Sequence, residues 1–327
     1  MTPLGSAVQN FDRGVPVAVA SRSFSRNTTL RLELTSRYPL ARFNDTNRVL
    51  AGDELVAFLR GHTRAITGLD VVTEAVFRAV PELRLISKYG VGLDMIDLAA
   101  ARRHGVTVRW TPGVNRQAVA ELTIAFMIDL CRAVVPLAGD MSEGRWRQPG
   151  GRQLSSAVVG ILGCGAVGQT VARLSRAFGA RVLAHDIRAL DDFYRDTGVE
   201  PVALDRLLSE SDIVSIHLPL DASTRGLMDA RALARMKPTA FLVNTARGGI
   251  VDETALEAAL RSQRLAGAAV DVFAAEPPGD MTLLKLPNVI GTPHIGASTA
   301  EAALAMGRAA IAGLEGGGDS VDLTSNP

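Results

Sequence analysis

The sequence predicts an α/β protein of two domains, each a mostly parallel sheet flanked by helices. Three observations predict it. From Val15 onward, short apolar runs alternate with helical patterns, as βαβ units require. Thr111-Pro112-Gly113 interrupts that alternation, and a Gly- and Arg-rich connection at 144–156 precedes a second series, which continues to about residue 296. The second series opens on a strand that runs directly into G-x-G-x-x-G. A chain of 327 residues is long enough to bury two separate cores.

Taken in order, residues 1 to about 14 read as a loose arm. VPVAVA, from Val15, begins the first strand, and a helical pattern follows at 54–61. Strand-like runs at 64–67, 83–87 and 106–110 complete the first series. A long apolar helix begins near Gln117. The apolar stretch 118–139 carries Glu121, Asp129 and Arg132, which favours a buried helix over a membrane span. The second series has a strand at 157–162, a helix at 169–178 ended by Gly179, and a strand at 181–185. Further apolar runs lie at 240–243, 268–272 and 289–290, and an Ala-rich helix at 299–313 precedes a polar tail. No repeat of solenoid period and no low-complexity tract is present in the sequence.

Composition excludes several classes. Lys+Arg 35 against Asp+Glu 34 leaves no basic surplus for nucleic acid or a membrane surface, and 5% aromatic residues provide few stacking platforms. Cys131 and Cys164 make no disulfide framework, and the N-terminus lacks a signal-peptide pattern, so a cytoplasmic setting is expected. No metal site is expected.

The strand–loop–helix at 158–168 specifies a Rossmann-type doubly wound nucleotide-binding domain and an NAD cofactor. Gly163 permits the tight turn, Gly165 lets the backbone approach a pyrophosphate, and Gly168 allows close helix–strand packing. Amides of the helix start, at Ala166, Val167 and Gly168, face the phosphate charge. Asp186 ends the next strand, 23 residues after Gly163, where a carboxylate binds the ribose hydroxyls. A carboxylate there favours NAD over NADP, and Arg188 tempers that preference. Cys164 occupies a variable slot of the turn and is expected to be inert.

Hydride transfer at a keto acid needs a cation for the carboxylate, a proton donor for the developing alkoxide, and a partner for that donor. Arg247 follows the run 240–243, Glu276 lies beyond 268–272, and His294 lies beyond 289–290. Each alone has a structural explanation, as a rim charge or a loop residue. Together, and in this order behind a dinucleotide loop, they no longer look accidental.

The sequence resembles the D-isomer-specific 2-hydroxyacid dehydrogenases, in particular their D-3-phosphoglycerate dehydrogenase-like branch. The resemblance rests on KYGVGLDMID (88–97), GVNRQAVAELT (113–123), GCGAVG (163–168) and HLPL (217–220), joined by NTARGGIVDE (244–253), AAVDVFAAEP (268–277) and TPHIGAST (292–299). It implies a flavodoxin-like substrate domain formed by 1–111 and 297–327, with the NAD-binding domain at 112–296. It also implies roles for individual residues. His294 is the acid/base, Glu276 orients it and favours its charged form, and Arg247 binds substrate and polarises its carbonyl. Backbone amides at Val91 and Gly92 receive the substrate carboxylate, with Asn115 nearby. Asp271 contacts the nicotinamide carboxamide, and His217, Pro219, Thr245, Ala246 and Gly296 line the cofactor site. The 118–139 helix region resembles a dimerisation arm, implying a homodimer.

One departure concerns substrate. Where phosphoglycerate dehydrogenases carry an Arg-Ser pair, residues 66–70 read Ile-Thr-Gly-Leu-Asp, so Thr67 replaces the arginine. Lys88 remains as a cation for a distal anion. The chain ends soon after its last helix, so no regulatory domain is expected. A different function class on the same motifs is an NAD(H)-sensing corepressor that binds peptides; turnover separates it from an enzyme. Among enzymes, Glu276 argues against formate oxidation, where glutamine is expected, and Val91 against phosphite oxidation, where lysine is expected.

Overall fold

The computed structural model describes residues 14–320, so the N-terminal arm up to residue 13 and the polar tail from residue 321 lie outside the described residues. The chain divides into two compact units, one running to Asn115 and resuming at Ala300, the other Arg116–Thr299.

In the first unit the strands are β1 (Val17–Val19), β2 (Arg42–Phe43), β3 (Arg64–Thr67), β4 (Leu85–Lys88) and β5 (Thr107–Trp110). They pair in parallel in the order β2-β1-β3-β4-β5, the flavodoxin-type order. Buried Ala18, Ala65, Ile86 and Val108 pack with Leu55, Leu59, Phe77 and Ala101 from the covering helices. The expected polar tail begins differently: Asp319–Ser320 adds an antiparallel edge strand to β5. Backbone donors and acceptors of an edge strand recruit such a partner whatever its side chains.

The second unit contains β6 (Val158–Leu162), β7 (Arg181–His185), β8 (Glu200–Pro201), β9 (Ile213–Ile216), β10 (Phe241–Asn244), β11 (Gly267–Val270) and β12 (Val289–Gly291). All pair in parallel in the order β12-β11-β10-β9-β6-β7-β8, the doubly wound arrangement. Alternate residues bury on opposite faces: Ile213, Val243 and Ala269 on one, Val214, Leu242 and Ala268 on the other. The order reverses between β6 and β9, the position outside whose strand carboxyl ends open sheets of this kind bind ligands.

The apolar stretch 118–139 is two helices rather than one, Arg116–Arg132 and Val134–Ser142. Ala133 takes a left-handed φ of +53°, and Asp129 accepts the Val135 N–H at 2.7 Å. A buried carboxylate inside the first helix thus takes an amide donor from the start of the second, and the chain bends there. Among the described residues no helix is long and apolar enough to cross a membrane.

Helix Ala300–Leu314 approaches Thr28–Arg37 at Gly307, where a Cβ would lie 2.1 Å from Leu30 Cδ1. Gly307→Ala should therefore cost about 1–3 kcal/mol in urea unfolding through overpacking. Leu30→Ala alone should cost about 2–5 kcal/mol, and the double variant should lose clearly less than the sum. Simple additivity would show that the two residues do not share this space.

Candidate active site

Parallel strands of one sheet deliver their following loops to the same edge, and every acidic, basic and imidazole group singled out in the second unit lies there. Gly163 follows β6, Asp186 follows β7, and His217 follows β9. Arg247 follows β10, Asp271 follows β11, and His294 follows β12. The strands impose that convergence before any side chain is considered.

The glycine loop is built for close approach. A Cβ on Gly168 would lie 2.0 Å from the Gly163 carbonyl oxygen, so only glycine lets helix Ala166–Ala177 begin against the strand. A Cβ on Gly165 would meet nothing within 4 Å, and no side chain caps this helix start. Open space beside the backbone and uncapped first-turn amides at Ala166, Val167 and Gly168 fit a pyrophosphate. Cys164, inside this loop, is fully buried, and burial first, then the Asp186 charge, pushes its thiol up to about 12.

Asp186 stands at the end of β7 with a crowded carboxylate. Oδ2 accepts the Cys164 N–H at 2.6 Å and Arg188 Nη2 at 2.9 Å; Oδ1 accepts the Arg188 N–H and Nε, each at 2.9 Å. Hydrogen bonds from the Arg188 guanidinium, against the opposing effect of burial, hold the carboxyl down at about 2. The sequence placed Arg188 nearby but gave no sign of this two-point pair. His217 is half-buried, with Nε2 2.9 Å from Ser215 Oγ and a buried Nδ1 that has no hydrogen-bond partner. Burial lowers its pKa to about 3, so it is neutral at physiological pH.

His294 and Glu276 meet: Nδ1 donates to Oε2 at 2.7 Å, with both side chains about one-third exposed. Glu276 Oε1 also accepts the Phe273 N–H at 3.1 Å. Burial alone would raise the Glu276 pKa, but the His294 bond and charge, the Phe273 amide and the Arg247 charge bring it below the ordinary carboxylate value. His294 has a left-handed φ of +54°, uncommon for a residue with a side chain. What holds it there is Asp271. Its carbonyl accepts the His294 N–H at 2.8 Å, and its buried carboxylate accepts Thr292 Oγ1 at 2.5 Å, the Ile295 N–H at 2.7 Å and the Gly296 N–H at 2.8 Å. Sequence reasoning singled out Asp271 and Gly296 for the cofactor and passed over Thr292. The motif TPHIG contained the signal, a hydroxyl two residues before the histidine.

Arg247 lies on the turn after β10, its guanidinium donating to the Ala246 carbonyl at 2.7 Å. A Cβ on Gly248 would fall 1.9 Å from the Phe273 carbonyl carbon, so glycine presses the Arg247 turn onto the Glu276 segment. Thr245 bonds Thr123 through their hydroxyls at 2.9 Å, Ala246 N–H donates to Asn244 Oδ1 at 3.1 Å, and the Pro219 carbonyl accepts Thr224 Oγ1 at 2.7 Å. The remaining candidates are on the first unit. Val91 and Gly92 are half-buried after β4, Asn115 is buried with no hydrogen-bond partner for Oδ1, and Lys88 is buried with its ammonium on the Gly68 carbonyl.

Comparison with known proteins follows the same lines. Residues 124–296 match the family described as D-isomer specific 2-hydroxyacid dehydrogenase, NAD binding domain. The chain is 38% identical over 263 residues to a hydroxypyruvate reductase of Thermotoga maritima, covering 79% of this chain and 85% of that one. It is 40% identical over 233 residues to a D-3-phosphoglycerate dehydrogenase of Synechocystis, covering 71% of this chain but only 42% of that longer protein. Among solved structures, a D-lactate dehydrogenase from Aquifex aeolicus complexed with NAD and lactic acid superposes with a TM-score of 0.81 at 26% identity, over 92% of this chain and 96% of that one. With its dinucleotide loop and doubly wound sheet, the chain belongs to the D-isomer specific 2-hydroxyacid dehydrogenase family, the NAD-dependent oxidoreductases of D-2-hydroxy acids.

Proposed function

We propose that the protein interconverts a D-2-hydroxy acid and its 2-keto acid through a His294–Glu276 dyad, with Arg247 holding the substrate carboxylate and polarising its carbonyl. The observation that carries this reading is the 2.7 Å bond from His294 Nδ1 to Glu276, which leaves Nε2 for the substrate oxygen. NAD, when bound, supplies or accepts the hydride at its nicotinamide ring. In reduction, imidazolium at His294 gives its Nε2 proton to the carbonyl oxygen as C2 is reduced; in oxidation the neutral ring takes the hydroxyl proton. Glu276 selects the tautomer and stabilises the charged ring.

The other residues support these steps. Gly163, Gly165, Ala166, Val167 and Gly168 receive the pyrophosphate and Asp186 the ribose. His217, Pro219, Thr245, Ala246, Asp271 and Gly296 line the nicotinamide half. Among the described residues Asp271 Oδ2 accepts only the Gly296 amide, which leaves it one acceptor direction for a carboxamide N–H. Amides at Val91 and Gly92, with Asn115, receive the substrate carboxylate, and Lys88 fixes the turn at Gly68 beside Thr67. The substrate domain is the first unit. A homodimer through the 118–139 helix region is supported by Val134 and Val135, 54% and 62% exposed at the helix break. Two buried free thiols suit a reducing, cytoplasmic compartment.

His294→Ala should lower kcat by about 10²–10⁴-fold while NADH affinity, read by fluorescence, stays close to wild type. Glu276→Gln, whose amide cannot hold the ring as the carboxylate does, should also lower kcat while NADH affinity stays close to wild type. A wild-type kcat in that variant would refute the dyad. Thr67 is buried with no hydrogen-bond partner for its hydroxyl and supplies no cation, so 3-phosphohydroxypyruvate should not be the best of a panel with glyoxylate, hydroxypyruvate and pyruvate. A large kcat/KM advantage for the phosphorylated acid would overturn that substrate reading.

A further inference from the structure

We propose that Arg188 is a specificity-determining residue for the dinucleotide and that this protein takes 2′-phosphorylated cofactor, NADP(H), alongside NAD(H). The inference rests on the cofactor-binding edge alone and is independent of the acid–base roles assigned to His294 and Glu276.

A ribose-binding aspartate works in two ways. It accepts hydrogen bonds from the ribose diol, and its charge repels a 2′-phosphate. In this protein both functions are altered by one side chain. A carboxylate offers about four acceptor directions, and at Asp186 all four are taken: by the Cys164 amide, the Arg188 amide, Arg188 Nε and Arg188 Nη2. The two amides belong to the turns after β6 and β7 and stay with the backbone. The positions held by the guanidinium are therefore the ones a ribose diol must use, so the diol and Arg188 compete for the same oxygens.

Charge is affected as well. Asp186 is nearly buried, with its side chain 6% exposed, and its negative charge is matched at 2.9 Å by a guanidinium whose side chain is 55% exposed. A bidentate pair of this kind is close to neutral as seen from outside. The electrostatic rejection of a 2′-phosphate, which a bare carboxylate supplies, is largely cancelled. The fork grips Asp186 through Nε and Nη2, and Nη1 takes no part in the pair. Arg188 can thus keep its hold on Asp186 while offering N–H donors to a phosphate. Toward NAD the same residue is a competitor that must swing away; toward NADP it is a ligand.

Direct binding tests this without substrate or turnover. Kd values for NADH and NADPH should be measured by fluorescence titration, and for 5′-AMP and 2′,5′-ADP by calorimetry, so that the 2′-phosphate is the sole difference within the second pair. In the wild type the 2′-phosphate should change affinity by less than about tenfold in either direction. Arg188→Ala should weaken NADPH and 2′,5′-ADP by about tenfold or more, the scale of a lost charge-assisted bond, while NADH binding holds or tightens. Arg188→Lys, which keeps the charge but not the fork, should retain most of the NADPH affinity. The proposal fails if NADPH binds the wild type more than about a hundredfold more weakly than NADH, or if Arg188→Ala shifts both cofactors by the same factor. Slow turnover with either cofactor, alongside the expected Kd pattern, would count against the acid–base assignment and leave the Arg188 proposal standing.

Discussion

A carboxylate taken out of water must be given donors, and Asp271 takes all of its donors from the segment that carries His294. Its carbonyl takes the His294 amide too. Four bonds from one residue at the end of β11 therefore fix the backbone after β12, and the histidine is held at a φ of +54° that its own preferences disfavour. The ring then has little freedom, and Glu276 meets its Nδ1 from the loop that follows Asp271. Much of the geometry at this edge descends from that buried acid.

The arrangement is economical because the sheet has already solved the long-range part of the problem. Parallel strands joined by crossovers must release their loops at one edge, so residues far apart in sequence become neighbours without long connections. What remains is short-range adjustment. Gly248 lets the Arg247 turn lie against Phe273, the Glu253 carboxylate accepts the Ala274 amide at 2.6 Å, and Glu276 accepts the Phe273 amide. The His294–Glu276 pair is thus braced from the β10, β11 and β12 sides, by backbone amides more than by other side chains.

Periodicity and glycine placement made the architecture legible in the sequence. The runs at 64–67 and 181–185 are strands over those residues, and the G-x-G-x-x-G loop joins strand to helix as its glycines require. Glu276 and His294 were legible as types at strand ends, although nothing in their spacing could say that Nδ1 and Oε2 touch. Other features were not legible. The break at Ala133 depends on Asp129 finding an amide six residues on, and the pairing of Asp319–Ser320 with β5 depends on an open edge. The hold of Arg188 on Asp186 depends on rotamers. In each case the sequence names the groups, and tertiary contacts choose between their several available partners.

Cys164 sits in the middle of the glycine-rich turn after β6, where a reactive thiol would leave that turn open to oxidants and electrophiles. Burial pushes its pKa up to about 12, so it stays a thiol at physiological pH. The protein therefore gains a small apolar side chain at a crowded turn without acquiring a redox liability there. Alkylating reagents and peroxide should therefore react poorly at Cys164 itself.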